Sequence, residues 1–380
     1  MHHDVLVLGL GGMGSAALAH LAARGLSAVG LEQDDVPSLR GSSVGETRVI
    51  RKAYLEDPRY VPLLLRAYEL WRELEARERA TLYVRTGCLV LGPRDHAAVR
   101  GTLASAEMHG LPHAVLEEDE VRARLALVPV PGDRGVLEED AGFLRVEACT
   151  AAHARWAQAS GAAVRTKTRV ASVDLAGGKV RATLEGGETV TADKMVVSAG
   201  AWLASAPGLA EIARALPLVV ERQAQLWFRS RAPETTGPPR LPVFIHFTGA
   251  GTFYGLPPDA QNDAPGVKVC RHHDGEATQA DALDRTLRPA DEAAVRGYVR
   301  AHLPAADGEL LRSRICMYTN TPDEHFLVGE HPRWPQVVVL GGFSGHGYKM
   351  ASVMGEIAAD LVTKGASRFD LGMFCVGRFG

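Results

Sequence analysis

The chain has 380 residues, of which 46% are hydrophobic and 23% charged, and its formal net charge is −3. This length is too great for one small core and suits two closely joined domains. The small net charge gives no reason to expect nucleic acid or an anionic membrane surface as a partner. The five cysteines are odd in number and widely spaced, which argues against a disulfide framework or a zinc site. This cysteine pattern fits a reducing cytoplasm best, so the sequence predicts a cytoplasmic protein. No apolar run approaches the roughly 18 residues of a membrane span, and no targeting segment is visible.

The first 32 residues predict a nucleotide-binding βαβ unit. The apolar run 5–8 is typical of a strand buried on both faces, 15–24 predicts a helix, and 28–31 predicts a second buried strand. Between the first strand and the helix, the chain reads Gly-Leu-Gly-Gly-Met-Gly from Gly9 to Gly14. In this spacing the first glycine allows a tight turn, the second lets backbone approach a pyrophosphate, and the third lets helix and strand pack closely.

Glu32 ends the second strand, where an acidic side chain can bind ribose hydroxyls. The strand, the glycine turn, the helix and the acid agree with one another, so we expect a bound dinucleotide rather than an ordinary glycine turn. NAD and FAD both remain compatible with this motif alone.

Arg48 and Arg51 follow a Ser/Gly/Asp-rich loop over 34–46. Arginines on a solvated face are the ordinary alternative. This segment, however, follows the second strand at the carboxyl edge of the predicted sheet, where ligands bind in open α/β folds. An arginine there can bind a carboxylate through two parallel hydrogen bonds.

The rest of the chain alternates between sheet-like and nucleotide-type segments. The predicted elements are a helix over 62–79, a β-meander over 164–197, strands over 219–228, 243–256 and 266–272, a helix over 291–303, a buried strand over 335–342 and a helix over 352–363. Nucleotide-type segments therefore occur at both ends of the chain, with sheet sequence between them. We predict one discontinuous nucleotide domain over 1–85, 145–217 and 310–380, and a substrate domain over 86–144 and 218–309.

Three further segments carry candidate chemistry, each with a plainer alternative. Lys268, Cys270 and His272 should point to one side of a strand, although an exposed polar strand face would explain them equally well. Cys316 follows an alternating strand pattern, and a buried inert thiol is the usual interpretation of a single cysteine. The run from Gly341 to Lys349 is a glycine-rich strand-to-helix turn whose backbone N–H groups could stabilise negative charge.

Four motifs together resemble the monomeric sarcosine oxidase family, which includes N-methyltryptophan oxidase. They are the Gly9–Gly14 turn, Gly41-Ser42 with Thr47-Arg48-x-x-Arg51, the run from Cys316 to Phe326, and Gly342-Phe343-Ser344-Gly345-His346-Gly347-x-Lys349. The similarity covers nearly the whole chain, and the second pair of motifs is highly specific. It implies an α/β fold with a glutathione-reductase-type, Rossmann-like FAD-binding domain beside a mixed or antiparallel-sheet substrate domain.

The resemblance also implies residue roles. Cys316 would hold the flavin through a thioether to its 8α-methyl carbon, Arg51 and Lys349 would bind the substrate carboxylate, and Lys268 would lie against the flavin ring where oxygen is reduced. Arg48 would lie near the other face of the ring. The substrate cavity would be lined by His272, Tyr254 and Tyr318. The residues expected to bind FAD are Gly9, Gly11, Gly12, Met13, Gly14, Glu32, Ser42, Thr47, Arg48, Val170, Cys316, Gly342, Gly345, Gly347 and Lys349.

The predicted function is oxidative demethylation of sarcosine to glycine, formaldehyde and hydrogen peroxide by a monomeric, cytoplasmic oxidase that uses molecular oxygen and holds its FAD covalently. The alternatives are oxidation of another secondary or cyclic amino acid, such as N-methyltryptophan, pipecolate or a proline-like acid, and a flavin dehydrogenase or subunit that passes electrons to a protein acceptor. One departure from the family is notable. Ser43 and Val44 stand where the family commonly has two adjacent histidines.

Overall fold

The computed structural model describes residues 2–214, 216–273 and 275–380, and two large β-sheets organise them. The strands are β1 (His2–Leu8), β2 (Ala28–Leu31), β3 (Thr47–Ile50), β4 (Tyr83–Arg85), β5 (Cys88–Pro93), β6 (Ala114–Glu117), β7 (Asp133–Glu138), β8 (Gly142–Arg145), β9 (Ala163–Arg165), β10 (Val170–Asp174), β11 (Val180–Leu184), β12 (Thr189–Val197), β13 (Val219–Phe228), β14 (Val243–Thr248), β15 (Gly251–Leu256), β16 (Val267–His272), β17 (Ala277–Thr278), β18 (Leu310–Asn320), β19 (Leu327–Glu330) and β20 (Val337–Gly341). The α-helices are α1 (Gly12–Ala23), α2 (Val61–Glu78), α3 (Ala97–Met108), α4 (Glu118–Arg124), α5 (Val146–Ala159), α6 (Ala210–Ala213), α7 (Pro289–His302) and α8 (Ala351–Lys364).

The first sheet has eight strands and carries the nucleotide-type segments. Its order is β10-β11-β12-β1-β2-β9, with β20 beside β12 and β19 beside β20. Strand β1 runs parallel to both β12 and β2, and its residues from Val5 to Leu8 are buried. Helices α5 and α8 both pack against α1. The βαβ unit predicted from the sequence is therefore confirmed, with α1 beginning at Gly12 because the glycine turn itself forms the first helical turn.

The predicted meander is also confirmed, since β10, β11 and β12 pair in antiparallel succession. Strand β12 then continues past its pairing with β11 and runs parallel to β20. The last residues of the predicted meander, 195–197, are buried and form the end of β12. This long strand joins the exposed meander to the buried centre of the sheet.

The second sheet has nine strands in the order β17-β13-β16-β15-β14-β5-β7-β6, with β18 paired along β13. The segment 243–256, predicted as a strand, is the antiparallel hairpin of β14 and β15, and β14 also runs parallel to β5. Residues 310–320 form β18 and belong to this sheet by pairing, although the predicted division placed them with the nucleotide domain. The domain boundaries themselves stay a prediction.

A small third sheet has the order β3-β8-β4. Its strands come from residues 47–145, within the stretch of chain between β2 and β9. Its strand β3 carries Arg48, and Arg51 follows directly. Within the ranges described above, no helix has the combination of length and apolar sequence that crossing a bilayer requires.

Candidate active site

The glycine turn lies at the carboxyl end of β1. Three of its positions require glycine, each for a different physical reason. Gly9 has a φ of +86°, which L side chains rarely adopt. A Cβ on Gly14 would lie 1.8 Å from the carbonyl oxygen of Gly9, so helix α1 would have to shift away from the turn. Among the described residues, the only atom within 4 Å of a Cβ on Gly11 would be the Ser43 hydroxyl oxygen, at 3.9 Å. Gly11 therefore faces open space, as a residue in contact with a pyrophosphate should.

Glu32 is buried at the end of β2, beside this turn. Its carboxylate accepts hydrogen bonds from the backbone N–H groups of Leu10 (2.8 Å) and Asp34 (3.0 Å). Burial raises the pKa of Glu32, and these two hydrogen bonds oppose that shift. The side chain thus fixes the glycine turn against β2 and keeps oxygen lone pairs available for ribose hydroxyls.

A long cleft begins at this turn and runs along the carboxyl edge of the first sheet. Twelve residues predicted to contact cofactor or substrate line it: Gly9, Gly11, Gly12, Met13, Glu32, Ser42, Arg48, Val170, Tyr318, Gly342, Gly345 and Gly347. Residues that the sequence prediction missed line it too: Ser43, Trp202, Thr319, Phe343 and Tyr348. The hydroxyl of Thr319 is buried and has no hydrogen-bond partner in the part of the chain that the structure describes, so a ligand in the cleft could supply one.

Gly14, Thr47, Cys316 and Lys349, which were also predicted to bind FAD, do not line this cleft. Gly14 packs against the glycine turn itself. Thr47 is buried, and its carbonyl oxygen accepts hydrogen bonds from Arg48 and from Lys268. The neighbours of Cys316, Met317 and Tyr318, do reach the cleft.

The second sheet presents one face of three adjacent strands to this region. Strand pairing sets Lys268 opposite Trp227 and Cys270 opposite Tyr254, and alternation then puts His272 on the same face. This agrees with the direction predicted from their even spacing. His272 Nδ1 lies 3.1 Å from the hydroxyl oxygen of Tyr318, so these side chains connect β16 to β18, which both pair with β13.

Lys268 is almost fully buried, and its Nζ donates hydrogen bonds to the carbonyl oxygens of Gly45 (2.8 Å) and Thr47 (3.0 Å). It also lies 5.0 Å from the centre of the Trp227 ring. Burial, followed by the nearby guanidinium of Arg48, lowers the pKa of Lys268 to about 7. No carboxylate forms an ion pair with Lys268 among the residues described. Its charge is therefore available to a ligand.

Arg51 and Lys349 are two buried cations that share one aromatic ring. The guanidinium carbon of Arg51 lies 4.4 Å from the centre of the Tyr54 ring, and Lys349 Nζ lies 5.1 Å from it. Burial, followed by the charge of Arg51, lowers the pKa of Lys349 to about 7. Arg51 donates hydrogen bonds to both carboxylate oxygens of Glu56, the shorter at 2.9 Å.

The Arg51 guanidinium keeps unused donor capacity. Its Nε–H is buried and lacks a hydrogen-bond partner within residues 2–214, 216–273 and 275–380. Burial would raise the pKa of Glu56, but the charges of Arg51, His346 and Lys349 outweigh it and hold that pKa at about 2. This corner therefore accommodates a carboxylate. The sequence prediction named the two cations but missed Tyr54 and Glu56, although both lie within five residues of Arg51.

Ser43 and Val44, which stand where the family commonly has two adjacent histidines, have different structural roles. The Ser43 hydroxyl oxygen accepts a hydrogen bond from the Gly12 N–H at 3.2 Å, so it supports the glycine turn. Val44 is fully buried. Neither position carries a titratable group in this chain.

Comparison with known proteins identifies the family. The model of the FAD dependent oxidoreductase family matches residues 4–361. The chain is 39% identical to monomeric sarcosine oxidase of Streptomyces avermitilis over 98% of this chain and 96% of that protein. It is 33% identical to N-methyl-L-tryptophan oxidase of Salmonella enteritidis over the full length of both. The chain belongs to the FAD dependent oxidoreductase family.

The predicted resemblance, fold class and assignment as an FAD-dependent oxidase acting on amines are thereby confirmed. The solved structure of NikD, an amino acid oxidase essential for nikkomycin biosynthesis, has the same fold, with a TM-score of 0.86 over 98% of this chain and 97% of that chain at 24% identity. FAD suits the site on its own geometry. Gly11 opens onto the cleft, the Glu32 carboxylate lies beside the glycine turn, and the Thr319 hydroxyl has no hydrogen-bond partner among the described residues.

Two glycine substitutions in this FAD-dependent oxidoreductase separate cofactor binding from folding. Gly11→Ala should fold with a nearly unchanged melting temperature but bind FAD more weakly, because the new methyl group enters the cleft. Gly14→Ala should lose about 1–3 kcal/mol of unfolding free energy, because its methyl group overlaps the Gly9 carbonyl. Thermal unfolding and FAD titration of both variants test this. A destabilised Gly11→Ala with normal FAD affinity would contradict the assignment.

Proposed function

We propose that the chain oxidises sarcosine to glycine, formaldehyde and hydrogen peroxide, with its FAD attached through Cys316. The observation that carries the proposal is the pair of buried cations, Arg51 and Lys349, around the Tyr54 ring. The buried Nε–H of Arg51, which has no hydrogen-bond partner among the described residues, suits a small carboxylic acid. The 39% identity to a monomeric sarcosine oxidase favours sarcosine among such acids.

Bound FAD supplies the two-electron oxidation of the amine and the transfer of those electrons to oxygen. The protein's part is to hold the substrate. Arg51 and Lys349 fix its carboxylate, and holding reactants in a productive geometry can contribute about 7–11 kcal/mol to lowering a barrier. His272 and Tyr318, joined by their hydrogen bond, and Tyr254 beside them line the substrate cavity. Lys268 stabilises negative charge that develops on oxygen.

We further propose a monomeric cytoplasmic enzyme whose partners are the small amino acid and molecular oxygen. The name of the Streptomyces relative, monomeric sarcosine oxidase, supports the monomer. Size-exclusion chromatography with light scattering tests it directly, and a stable dimer would contradict it.

A peroxide assay across a panel of secondary amino acids tests the substrate. Sarcosine should give the highest kcat/KM, with N-methyltryptophan, pipecolate and proline each lower. A higher value for N-methyltryptophan would transfer the proposal to the substrate named for the Salmonella relative. Rapid reduction of a dye with little oxygen consumption would instead identify a dehydrogenase.

Cys316→Ala should release the flavin. The wild-type protein should keep its yellow colour when it is precipitated in acid, whereas the variant should lose all of it to the supernatant. Total FAD bound before denaturation should remain similar, because the cleft that holds the nucleotide is built from other residues. The absorbance spectrum of the washed precipitate measures this. A colourless wild-type precipitate would disprove the covalent link.

Binding of a small carboxylic acid without an amine should weaken as the pH rises above about 7. Lys349 carries its charge below its pKa of about 7 and loses it above, so one of the two cations disappears. Glu56, with a pKa of about 2, and His346, with a pKa of about 4, do not change charge in this range. The change in flavin absorbance on titration gives the Kd at each pH. Lys349→Met should flatten the profile, and a flat wild-type profile between pH 6 and 9 would refute the role.

A further inference from the structure

Gln225 places a polar side chain in the middle of the strands that carry the site. It lies on β13, between β16 with Lys268 and β18 with Cys316, and is only 1% exposed. A buried amide without partners is costly, so its hydrogen bonds define what it does there. The roles implied by the family resemblance leave Gln225 without a function.

The amide of Gln225 joins the Cys316 sulfur to the segment that carries Arg48. Its Nε2 donates hydrogen bonds to Cys316 Sγ at 2.9 Å and to the Val44 carbonyl oxygen at 3.5 Å. Its Oε1 accepts one from Arg48 Nη1 at 3.5 Å. Because a guanidinium can only donate, Arg48 fixes the amide oxygen toward itself and the NH2 group toward the sulfur.

The backbone at Gly45 leaves room for the Gln225 amide. Gly45 has a φ of +98°, and a Cβ there would lie 2.1 Å from Gln225 Oε1. The Gly45 N–H donates to Glu147 at 2.7 Å, and the Gly45 carbonyl accepts from Lys268 at 2.8 Å. The position of Gly45 is therefore held from both sides, with Gln225 packed against its α-carbon.

We propose that Gln225 is a positioning residue that holds the Cys316 sulfur for its bond to the flavin. The inference rests on the attachment proposed above. One directed N–H at 2.9 Å restricts the rotation of the cysteine side chain and stabilises negative charge on its sulfur. In the attachment, Sγ bonds to the 8α-methyl carbon, the thiol proton and one methyl proton leave, and two electrons pass to dioxygen, which becomes hydrogen peroxide.

The rate of attachment in the full-length chain tests the proposal. The protein is expressed under riboflavin limitation, mixed with FAD and quenched in acid at intervals, and the flavin fluorescence of the denatured polypeptide is followed. Gln225→Leu should slow attachment about tenfold or more. Gln225→Glu, which has the same size but no donor when ionised, should slow it at least as much. Gln225→His keeps an N–H donor at similar reach and should restore most of the rate.

Gln223→Leu is the matched control. Gln223 lies on the same strand and face and is also buried, but its Nε2 donates to Glu221 rather than to the sulfur. It should attach flavin at the wild-type rate. Total FAD bound before the quench should be equal in all variants. A variant that binds FAD normally but attaches it slowly is defective in positioning the sulfur, whereas a variant that has lost its fold binds less FAD. If Gln225→Leu fails to bind FAD, the attachment rates of Gln225→Glu and Gln225→His test the role of the N–H donor instead.

Two failures are distinguishable. A wild-type protein that never acquires covalent flavin would overturn the proposed attachment, and the inference with it. Wild-type attachment together with equally fast attachment in Gln225→Leu and Gln225→Glu would overturn the role of Gln225 alone. Equal slowing in Gln223→Leu would also overturn it, because the effect would then belong to the strand and not to the hydrogen bond.

Discussion

Replacing Lys268 with methionine is expected to slow the reoxidation of the reduced enzyme by dioxygen about 10²–10³-fold, the usual effect of removing one preorganised electrostatic group. The ammonium group is buried, and carbonyl oxygens rather than carboxylates hold it in place. A cation whose charge is not neutralised by a neighbour favours the negative charge that builds on oxygen, and a dry site strengthens that interaction. Methionine keeps the length of the side chain and removes the charge.

Stopped-flow measurement of the two half-reactions separates the expected effects. Reduction by substrate under nitrogen should stay close to the wild-type rate in Lys268→Met, because Arg51 and Lys349 are the residues proposed to bind the substrate carboxylate. Lys349→Met offers a matched control, since Lys349 is also buried and has the same pKa of about 7. It should weaken substrate binding and leave reoxidation nearly unchanged. Equal slowing of both half-reactions in Lys268→Met would reject the assignment.

The nucleotide-binding half of the site was predictable because its signals are local. The β1 run, the glycine turn and Glu32 lie within 32 residues of each other, and the physical reasons for these glycines act over a few peptide units. The structure adds reasons that a spacing rule does not contain. Gly14 is needed for a contact with the Gly9 carbonyl, whereas Gly11 faces the space of the ligand.

The proposed catalytic half of the site depends on strand pairing between distant segments, and that pairing was not predictable from the residues alone. Lys268 and Cys316 come to one face because β13 lies between their strands. The resemblance supplied these residues, while their own neighbourhoods favoured an exposed strand face and an inert thiol. Gln225 and Glu56 belong to no recognisable sequence motif. The role of a polar residue in a strand or loop depends on its hydrogen-bond partners in the fold, which the sequence does not give.

Removing the guanidinium in Arg51→Gln is the second change with a large expected effect. A buried cation that binds a carboxylate typically contributes about 2–5 kcal/mol, so the Kd for a small carboxylic acid should rise by about 30-fold to several thousand-fold. Arg51 is 2% exposed, donates to the Ala53 carbonyl oxygen at 2.7 Å and is thereby held rigid. Flavin reduction at saturating substrate should fall less than the affinity.

Substitution of Glu56 gives a second test, because the Glu56 carboxylate competes with the small carboxylic acid for the Arg51 guanidinium. With Arg51 removed, Lys349 still lies near the Glu56 carboxylate, which should compete with the acid for that cation and add to the loss of affinity. Glu56→Gln should act in the opposite direction and bind the acid more tightly than the wild type. The double variant Arg51→Gln/Glu56→Gln should then bind better than Arg51→Gln alone.

Titration of all four proteins with the same acid, read from the flavin absorbance, completes the double-mutant cycle and gives the coupling between the two side chains. Substantial coupling is expected, because the ion pair is direct, at 2.9 Å. Thermal unfolding of each variant accompanies the cycle, because leaving either charge buried without its partner is itself destabilising. An affinity that is unchanged in Arg51→Gln, in a protein that is folded and loaded with FAD, would mean that the substrate carboxylate binds elsewhere.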